Sequence, residues 1–244
     1  MKYRMNAAFV LGLAAVAGSP VLAQAQVPQP AQVPPQEQPA SDEIVVTGVR
    51  VSTLDLPRLR KAQDAFRAGR AAFAPTSTLY FQLRPAAGVA LAGMTLALVS
   101  GDQRIVVPID AESRFKLPAI PAGRWELEHN RGAGRIAVRA LVMSAGATET
   151  DRPLGDLRLQ CRAGWELAKA GYSFIARSGF SVLGGCSSTK FAFAFRTPRT
   201  IQSATLSTGA KVTELPLLPD RMALRAPLGD KALPNNAMVR VRYN

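Results

Sequence analysis

The sequence predicts a mainly β protein: two small antiparallel β-sandwich units, one N-terminal amphipathic helix and a disordered leader rich in Pro and Gln. Three observations lead to this fold class. The chain has 244 residues, of which 48% are hydrophobic, so it can bury a substantial core. From Thr76 onward, runs of alternating apolar and polar residues are separated by Gly, Pro, Asp and Ser turns. Before Thr76, one segment has the period of three to four residues that is typical of a helix.

Residues 1–23 have the pattern of a secretory signal peptide. Lys2 and Arg4 precede an apolar stretch that starts at Ala7, and small residues follow that stretch up to Ala23. The stretch is shorter than the ~20 residues that a membrane-spanning helix needs. We therefore expect export to the periplasm or the periphery of the outer membrane, and an uncleaved anchor is the alternative.

Residues 24–41 (QAQVPQPAQVPPQEQPAS) are predicted to be a disordered linker. Their Pro and Gln content favours extended polyproline II backbone and cannot supply a core. The next segment, residues 42–50 (DEIVVTGVR), is rich in β-branched side chains that favour an extended strand. A flexible linker thus leads directly into a short strand-forming segment.

Residues 54–74 are predicted to form an amphipathic helix. Asp55 and Pro57 suit its first turn, and Pro75 suits its end. We expect the apolar side to pack on the following domain, and a helix lying on a membrane surface is the alternative. The apolar positions are Leu56, Leu59, Ala62, Phe66, Gly69 and Phe73. The opposite side carries a set of cations that we name the basic face: Arg58, Arg60, Lys61, Arg67 and Arg70.

The charge balance favours anionic partners. The formal net charge is +13, and loss of Lys2 and Arg4 with the signal peptide leaves +11. A protein of this charge is attracted to anionic surfaces, and after export these are acidic lipids or glycans rather than nucleic acid. The alternative is that scattered arginines only solvate the surface.

Two β-rich domains are predicted after the helix, residues 76–150 and residues 151–244. In the first, short runs such as Leu79 to Leu83 and Trp125 to Glu128 alternate as strands do. In the second, Trp165 to Ala170 is expected to be a short helix within β structure. The apolar faces of its two clearest strands carry Phe191, Phe193 and Phe195, and Val239, Val241 and Tyr243.

The two cysteines, Cys161 and Cys186, are predicted to form a disulfide because an exported chain meets an oxidising compartment. In the chain-entropy model a loop of this length stabilises the fold by roughly 3.5 kcal/mol. A structural zinc site needs four suitable ligands, and His129 is the only histidine. We therefore expect neither a metal nor any other cofactor.

No catalytic residue is assigned. Ser187 to Lys190 matches a Ser-x-x-Lys pattern, but that chemistry needs the serine at the start of a helix. Gly132 to Ala137 fits a loose dinucleotide-binding pattern but is expected to be a hairpin turn, because Ile136 and Val138 alternate. His129 lies at the end of a predicted strand and is expected to be a surface residue. The sequence thus predicts that the protein is not an enzyme.

Residues 76–145 resemble the carboxypeptidase regulatory-like family, which has a transthyretin-like β-sandwich. Its pattern combines a small-Gly turn, Asp-x-x-Gly-x-Phe-x-Leu, Pro-x-Gly and an aromatic strand. Ser113 stands where the family has Gly. The resemblance implies a noncatalytic appended domain. The matching residues are Ala92, Gly93, Asp110, Phe115, Leu117, Pro121, Gly123 and Trp125.

The segment DEIVVTGVR resembles the TonB box of TonB-dependent outer-membrane receptors. That resemblance implies that the segment adds as a strand to the periplasmic domain of TonB, with affinity from main-chain hydrogen bonds. A receptor barrel does not fit in 244 residues. Pairing of Ile44 to Val49 with the protein's own sandwich is the alternative. The matching residues are Asp42, Glu43, Ile44, Val45, Val46, Thr47 and Gly48.

Together these features predict a noncatalytic, secreted envelope protein that acts as an accessory binding module for TonB-dependent outer-membrane transport. Its expected partners are TonB or an outer-membrane receptor, and an anionic lipid or glycan. Two alternatives belong to other classes: a structural protein apposed to anionic envelope surfaces, and an envelope hydrolase. A hydrolase predicts a deep polar cleft with converging Glu, Asp or Ser side chains.

Overall fold

The computed structural model describes residues 51–190 and 193–244, and these residues all lie in one compact unit. The predicted signal peptide, linker and TonB-box-like segment fall outside the described residues. The described chain is mainly β with several antiparallel sheets, as predicted, and it also contains three α-helices.

The helices are α1 (Leu56–Phe73), α2 (Leu154–Ala168) and α3 (Phe174–Val182). The first seven strands are β1 (Ser52–Leu54), β2 (Ser77–Pro85), β3 (Leu96–Ser100), β4 (Gln103–Val106), β5 (Arg114–Phe115), β6 (Glu126–His129) and β7 (Ile136–Ser144). The remaining strands are β8 (Asp151–Pro153), β9 (Phe193–Arg196), β10 (Ile201–Thr208), β11 (Lys211–Glu214), β12 (Ala223–Ala226) and β13 (Met238–Tyr243). Short 3-10 turns follow α2 and α3.

The first core lies between two antiparallel sheets. Strands β1, β6, β3 and β4 form one sheet in that order, and β5, β2 and β7 form the other. Phe81 from the second sheet and Leu98 and Leu127 from the first are fully buried in one apolar cluster. Two sheets that share a core form a β-sandwich, as the alternating runs predict. Strand β1 lies at the edge of this sandwich and pairs with β6.

Helix α1 runs from Leu56 to Phe73, within the predicted residues 54–74, and most of its predicted apolar face is buried. The Asp55 side chain accepts a hydrogen bond from the Arg58 N–H at the helix start, and Pro57 lies in the first turn. The apolar face packs into the first core and along α2, so it is not available to a membrane surface. Its buried residues are Leu56, Leu59, Ala62, Phe66 and Gly69.

Helix α2 corrects the sequence prediction, which placed a short helix at Trp165 to Ala170. The helix begins at Leu154, where extended structure was expected. Residues 154–159 are all buried, including the charged Asp156 and Arg158, so this part of the helix lacks the solvent-exposed polar face whose period identifies a helix in a sequence. Leu157 contributes to the second core and Leu159 to the first. Helix α2 therefore belongs to both cores.

The second core combines the start of α2, the sheet β11-β10-β13-β8 and the two-stranded ribbon β12-β9. Val239 and Val241 are buried and Tyr243 is half-buried, as the alternation of the C-terminal strand predicts. Phe193 and Phe195 are half-buried on one face of β9, with Ala194 exposed between them. The predicted neighbour Phe191 lies outside the described residues.

Two turns of the first sandwich have notable backbone geometry. Ser113 has φ 59°, a left-handed conformation that favours glycine, at the position where the resembled family has Gly. Asp110 fixes this turn, because its Oδ1 accepts hydrogen bonds from the N–H groups of Glu112 and Arg114. The segment from Gly132 to Ala137 is not the expected hairpin, because it joins β6 to β7 and these strands belong to different sheets.

Two glycines of α2 provide a test of this packing. A Cβ on Gly155 would lie 2.0 Å from the backbone oxygen of Phe73, whereas a Cβ on Gly164 would meet no atom within 4 Å. We expect Gly155→Ala to lower the free energy of unfolding by about 1–3 kcal/mol, as overpacking does. Gly164→Ala should raise it by roughly 0.5–1 kcal/mol because alanine favours a helix.

Urea unfolding of the two variants against the parent protein measures both effects. Each variant adds the same methyl group to the same helix, so each serves as the control for the other. Equal effects of the two substitutions would contradict the close approach of α2 to the end of α1.

Candidate functional site

The basic face of α1 is solvent-exposed, as predicted. Arg58 pairs with Asp55 at 2.7 Å, and Arg67 pairs with Asp64 at 3.5 Å. Its other three cations are Arg60, Lys61 and Arg70. They make no ion pair among the residues that the structure describes. The basic face thus retains positive charge on the side of α1 that points away from the core.

The predicted disulfide is present. Cys161 on α2 is bonded to Cys186 in the turn after α3, with their Cα atoms 5.9 Å apart. It closes the loop that contains α3, a helix without a buried residue. Because α3 lacks a core of its own, the disulfide fixes the end of that loop to α2.

His129 is a correction to the sequence prediction. It was expected at the surface but is 3% exposed, because β6 lies between β1 and β3 and both neighbours pair with this residue. Its Nδ1 accepts a hydrogen bond from the Arg131 N–H at 3.2 Å. Burial, followed by the nearby Arg131 cation, lowers the pKa of His129 below its usual value. The imidazole therefore acts as a neutral core group.

The Ser-x-x-Lys segment lines a polar depression together with Asp230 and Lys231. Ser187 lies in a 3-10 turn rather than at the start of an α-helix. The Ser187 hydroxyl accepts a hydrogen bond from Arg162 at 3.4 Å, and the Ser188 hydroxyl accepts one from the Lys190 N–H at 3.1 Å. Neither hydroxyl is hydrogen-bonded to a base within the described residues, so this depression lacks the geometry of an activated nucleophile.

A second cleft, of about 620 Å³, lies between four elements and has apolar walls. We name it the aromatic cleft. Strand β7 forms one wall, the second half of α2 forms another, and α3 and β9 form the remaining sides. Trp165 of α2 stacks on Phe180 of α3, with ring centroids 3.9 Å apart, and on Tyr172, at 5.6 Å. The stacked rings give this end of the cleft an apolar surface.

The aromatic cleft is also lined by two cations. Arg139 of β7 and Arg196 of β9 both line it, and the Arg139 Nη1 donates a hydrogen bond to the Arg196 carbonyl at 3.2 Å. Arg139 is further held by Gln82, whose Oε1 accepts a hydrogen bond from its Nε at 2.6 Å. Burial and then the neighbouring Arg84 cation lower the pKa of Arg139 to about 10. This value lies far above neutral pH, so Arg139 remains charged.

A small chamber of about 40 Å³ is lined by Arg152 as well as by Arg139 and Arg196. Arg152 is 8% exposed, and its Nη2 donates hydrogen bonds to the Val142 carbonyl and to Gln160. Its Nε is buried without a hydrogen-bond partner among the described residues. The chamber and the aromatic cleft share the walls formed by Arg139, Gln160 and Arg196.

The aromatic cleft was not foreseen from the sequence. Its lining comes from segments as far apart as β7 and β9, and α3 was not predicted at all. One signal was present: Tyr172, Phe174, Ile175 and Val182 form an apolar group inside the disulfide loop, and all are exposed. An exposed apolar group of this size is typical of a binding surface.

His129 also makes a pH dependence testable. In the unfolded chain its pKa is near 6.5, and in the folded protein it is lower, so the unfolded state binds the proton first. The free energy of unfolding should therefore fall as the pH is lowered from about 7.5 to about 5.

The measurement is urea unfolding across that pH range for the parent protein and for His129→Asn. Asparagine keeps an acceptor for the Arg131 N–H but does not titrate. The variant should lose most of the slope, and because the chain has one histidine the difference between the two curves isolates it. Identical slopes would contradict a neutral, buried imidazole.

Comparisons with protein-family models, with curated proteins and with solved structures found no match to this chain. Within the described ranges, no group of three or more His, Cys, Asp or Glu side chains is placed to hold a metal ion. No helix in the same ranges is both long and apolar enough to cross a membrane. The basic face and the aromatic cleft are therefore the two candidate functional surfaces of the described residues.

Proposed function

We propose that the protein is a noncatalytic, secreted envelope protein that serves as an accessory binding module for TonB-dependent outer-membrane transport. In this proposal the TonB-box-like segment, residues 42–48, recruits the periplasmic domain of TonB. The folded body, from Ser52 onward, carries the ligand site. The resemblance of residues 76–145 to a family of noncatalytic appended domains supports the binding role.

The observation that carries the proposal is the aromatic cleft. Its walls combine stacked rings from Trp165, Tyr172 and Phe180 with the two cations Arg139 and Arg196. Apolar walls with a few placed charged groups are typical of a ligand-binding pocket. Among the described residues, no Asp, Glu, Ser or His side chain lines the cleft, and these are the groups on which a hydrolase would depend.

The position of β1 supports a role for the preceding segment. Strand β1 begins at Ser52, four residues after Gly48, and is fixed at the edge of the first sandwich by pairing with β6. The first strand that the structure describes is therefore close in sequence to the TonB-box-like segment. A strand-forming segment between a Pro/Gln-rich linker and a fixed edge strand suits pairing with another protein's sheet.

A second candidate function is contact with anionic envelope surfaces. The exposed cations of the basic face that lack an ion pair among the described residues favour it, namely Arg60, Lys61 and Arg70. Clustered cations on one side of a helix attract acidic lipids, with about 1 kcal/mol for each residue near the surface. This function needs no contribution from residues 42–48, which separates it from the first proposal.

Titration of the mature protein with the periplasmic domain of TonB, followed by NMR, tests the recruitment. Val45→Pro removes one backbone amide from the segment and should weaken strand pairing. Val45→Thr is the matched control, because threonine keeps the amide and the β-branched side chain. We expect binding by the parent protein and by Val45→Thr, and its loss in Val45→Pro.

The opposite result has a defined meaning. Absence of binding by all three proteins would contradict the recruitment, and the basic face would then be the leading functional surface. Equal binding by Val45→Pro and Val45→Thr would place the contact outside residues 42–48.

A further inference from the structure

The aromatic cleft has the charge pattern of a site for a molecule with an apolar body and an anionic head. One part of it is apolar, formed by the stacked side chains of Trp165 and Phe180. Another part is cationic and is formed by Arg139 and Arg196. Neutral residues of β7 and of the second half of α2 also line the cleft.

The two cations that line the cleft are incompletely neutralised by carboxylates. Arg139 approaches Glu149 only to 3.9 Å, and the pair of Arg196 with Asp220, at 3.4 Å, is exposed to solvent. The positive charges of Arg139 and Arg152 repel each other. The carboxylate of Asp156 offsets the charge of Arg152, and it also accepts hydrogen bonds from Ser144. An anion placed here would reduce this repulsion.

A second observation points to the same place. The Nε of Arg152 is buried and has no hydrogen-bond partner among the described residues, although its Nη2 has two. Arg152 lines the small chamber, and the chamber and the cleft share the lining residues Arg139 and Arg196. A buried N–H without a partner is costly, and an acceptor near the chamber would relieve that cost.

Helix α3, which lines the cleft through Ala176 and Phe180, also carries large exposed apolar side chains. Phe174 is 74% exposed and Ile175 is 82% exposed. Exposed apolar side chains on this helix are available to the chain of an amphiphile that extends beyond the pocket. Arg177 in the same helix is exposed and adds positive rather than negative charge.

We propose that the aromatic cleft binds a single-chain amphipathic anion, with its carboxylate or phosphate head against Arg139 and Arg196 and its acyl chain along Trp165 and α3. This inference deepens the proposed binding role and rests on it, but it does not depend on residues 42–48. Arginine forms paired hydrogen bonds with both kinds of head group. The aromatic wall binds the acyl chain by burying its apolar surface, a contribution that does not depend on the direction of any bond.

Trp165 supplies the readout. The chain has two tryptophans, and Trp125 is buried in the first core. The variant Trp125→Phe therefore leaves Trp165 as the one source of tryptophan emission. In that background, mature protein is titrated with dodecanoate, dodecyl phosphate, dodecanol and acetate, each below its micelle concentration. We expect saturable changes in emission with dodecanoate, with dodecyl phosphate or with both, and at least roughly tenfold weaker binding of dodecanol. Acetate, which lacks a chain, should not bind.

Two pairs of variants locate the site. Gly164→Leu places a side chain in the cleft from a position with no neighbouring atom within 4 Å, and should abolish dodecanoate binding without lowering Tm. Gly164→Ala is its control and should bind. Arg196→Gln should weaken binding by roughly fivefold, as loss of a largely exposed charged hydrogen bond does.

The control for Arg196→Gln is Arg240→Gln. Arg240 pairs with Asp151 on the surface with a similar exposed fraction, 63% against 69%, and lines neither the cleft nor the chamber. Equal binding of dodecanol and dodecanoate, or equal effects of the two arginine variants, would overturn the anion site. Full binding by Gly164→Leu would overturn the cleft itself. Loss of TonB binding leaves this inference intact, so the two failures are distinguishable.

Discussion

The close packing of α2 against α1 is the constraint on which the rest of the structure depends. At the start of α2, Gly155 lies so near the Phe73 carbonyl that no side chain fits, and its N–H donates to the Asn235 carbonyl. The Asn235 side chain in turn donates a hydrogen bond to the Ala72 carbonyl, so Asn235 links the end of α1 to the start of α2. Because residues 154–159 are buried on every side, α2 can occupy this position only when both cores are formed.

The same helix positions the aromatic cleft. Its first half is enclosed by the cores, and its second half presents Gln160, Gly164 and Trp165 to the cleft. The Cys161 disulfide fixes the loop that carries α3, which allows Phe180 to stack on Trp165 although α3 buries no residue. A rigid helix and a covalent link thus hold the rings in the same cleft as the arginines of β7 and β9. Such preorganisation lowers the conformational entropy that the site itself loses on binding a ligand.

Much of the fold could be predicted because its signals are local. The capping residue Asp55, the stripe of α1 and the alternation of Val239 and Val241 each report the environment of their own segment. The start of helix α2 was missed because its buried half has no solvent-exposed polar face. His129 was misplaced because the order of strands in the sheet, which is not visible in the sequence, decides whether a strand end is covered. The cleft was missed because its residues meet only after both cores have formed.

The central claim is that α2 couples the two cores into one cooperative unit. Urea unfolding of two single-tryptophan variants tests it directly. Trp165→Phe retains Trp125 in the first core, and Trp125→Phe retains Trp165, which stacks on Phe180 next to Phe193 of the second core. We expect each variant to unfold in one transition, with the midpoint by tryptophan emission equal to the midpoint by far-ultraviolet circular dichroism. Separate midpoints for the two probes within a variant would show that the cores unfold independently and would contradict the shared helix.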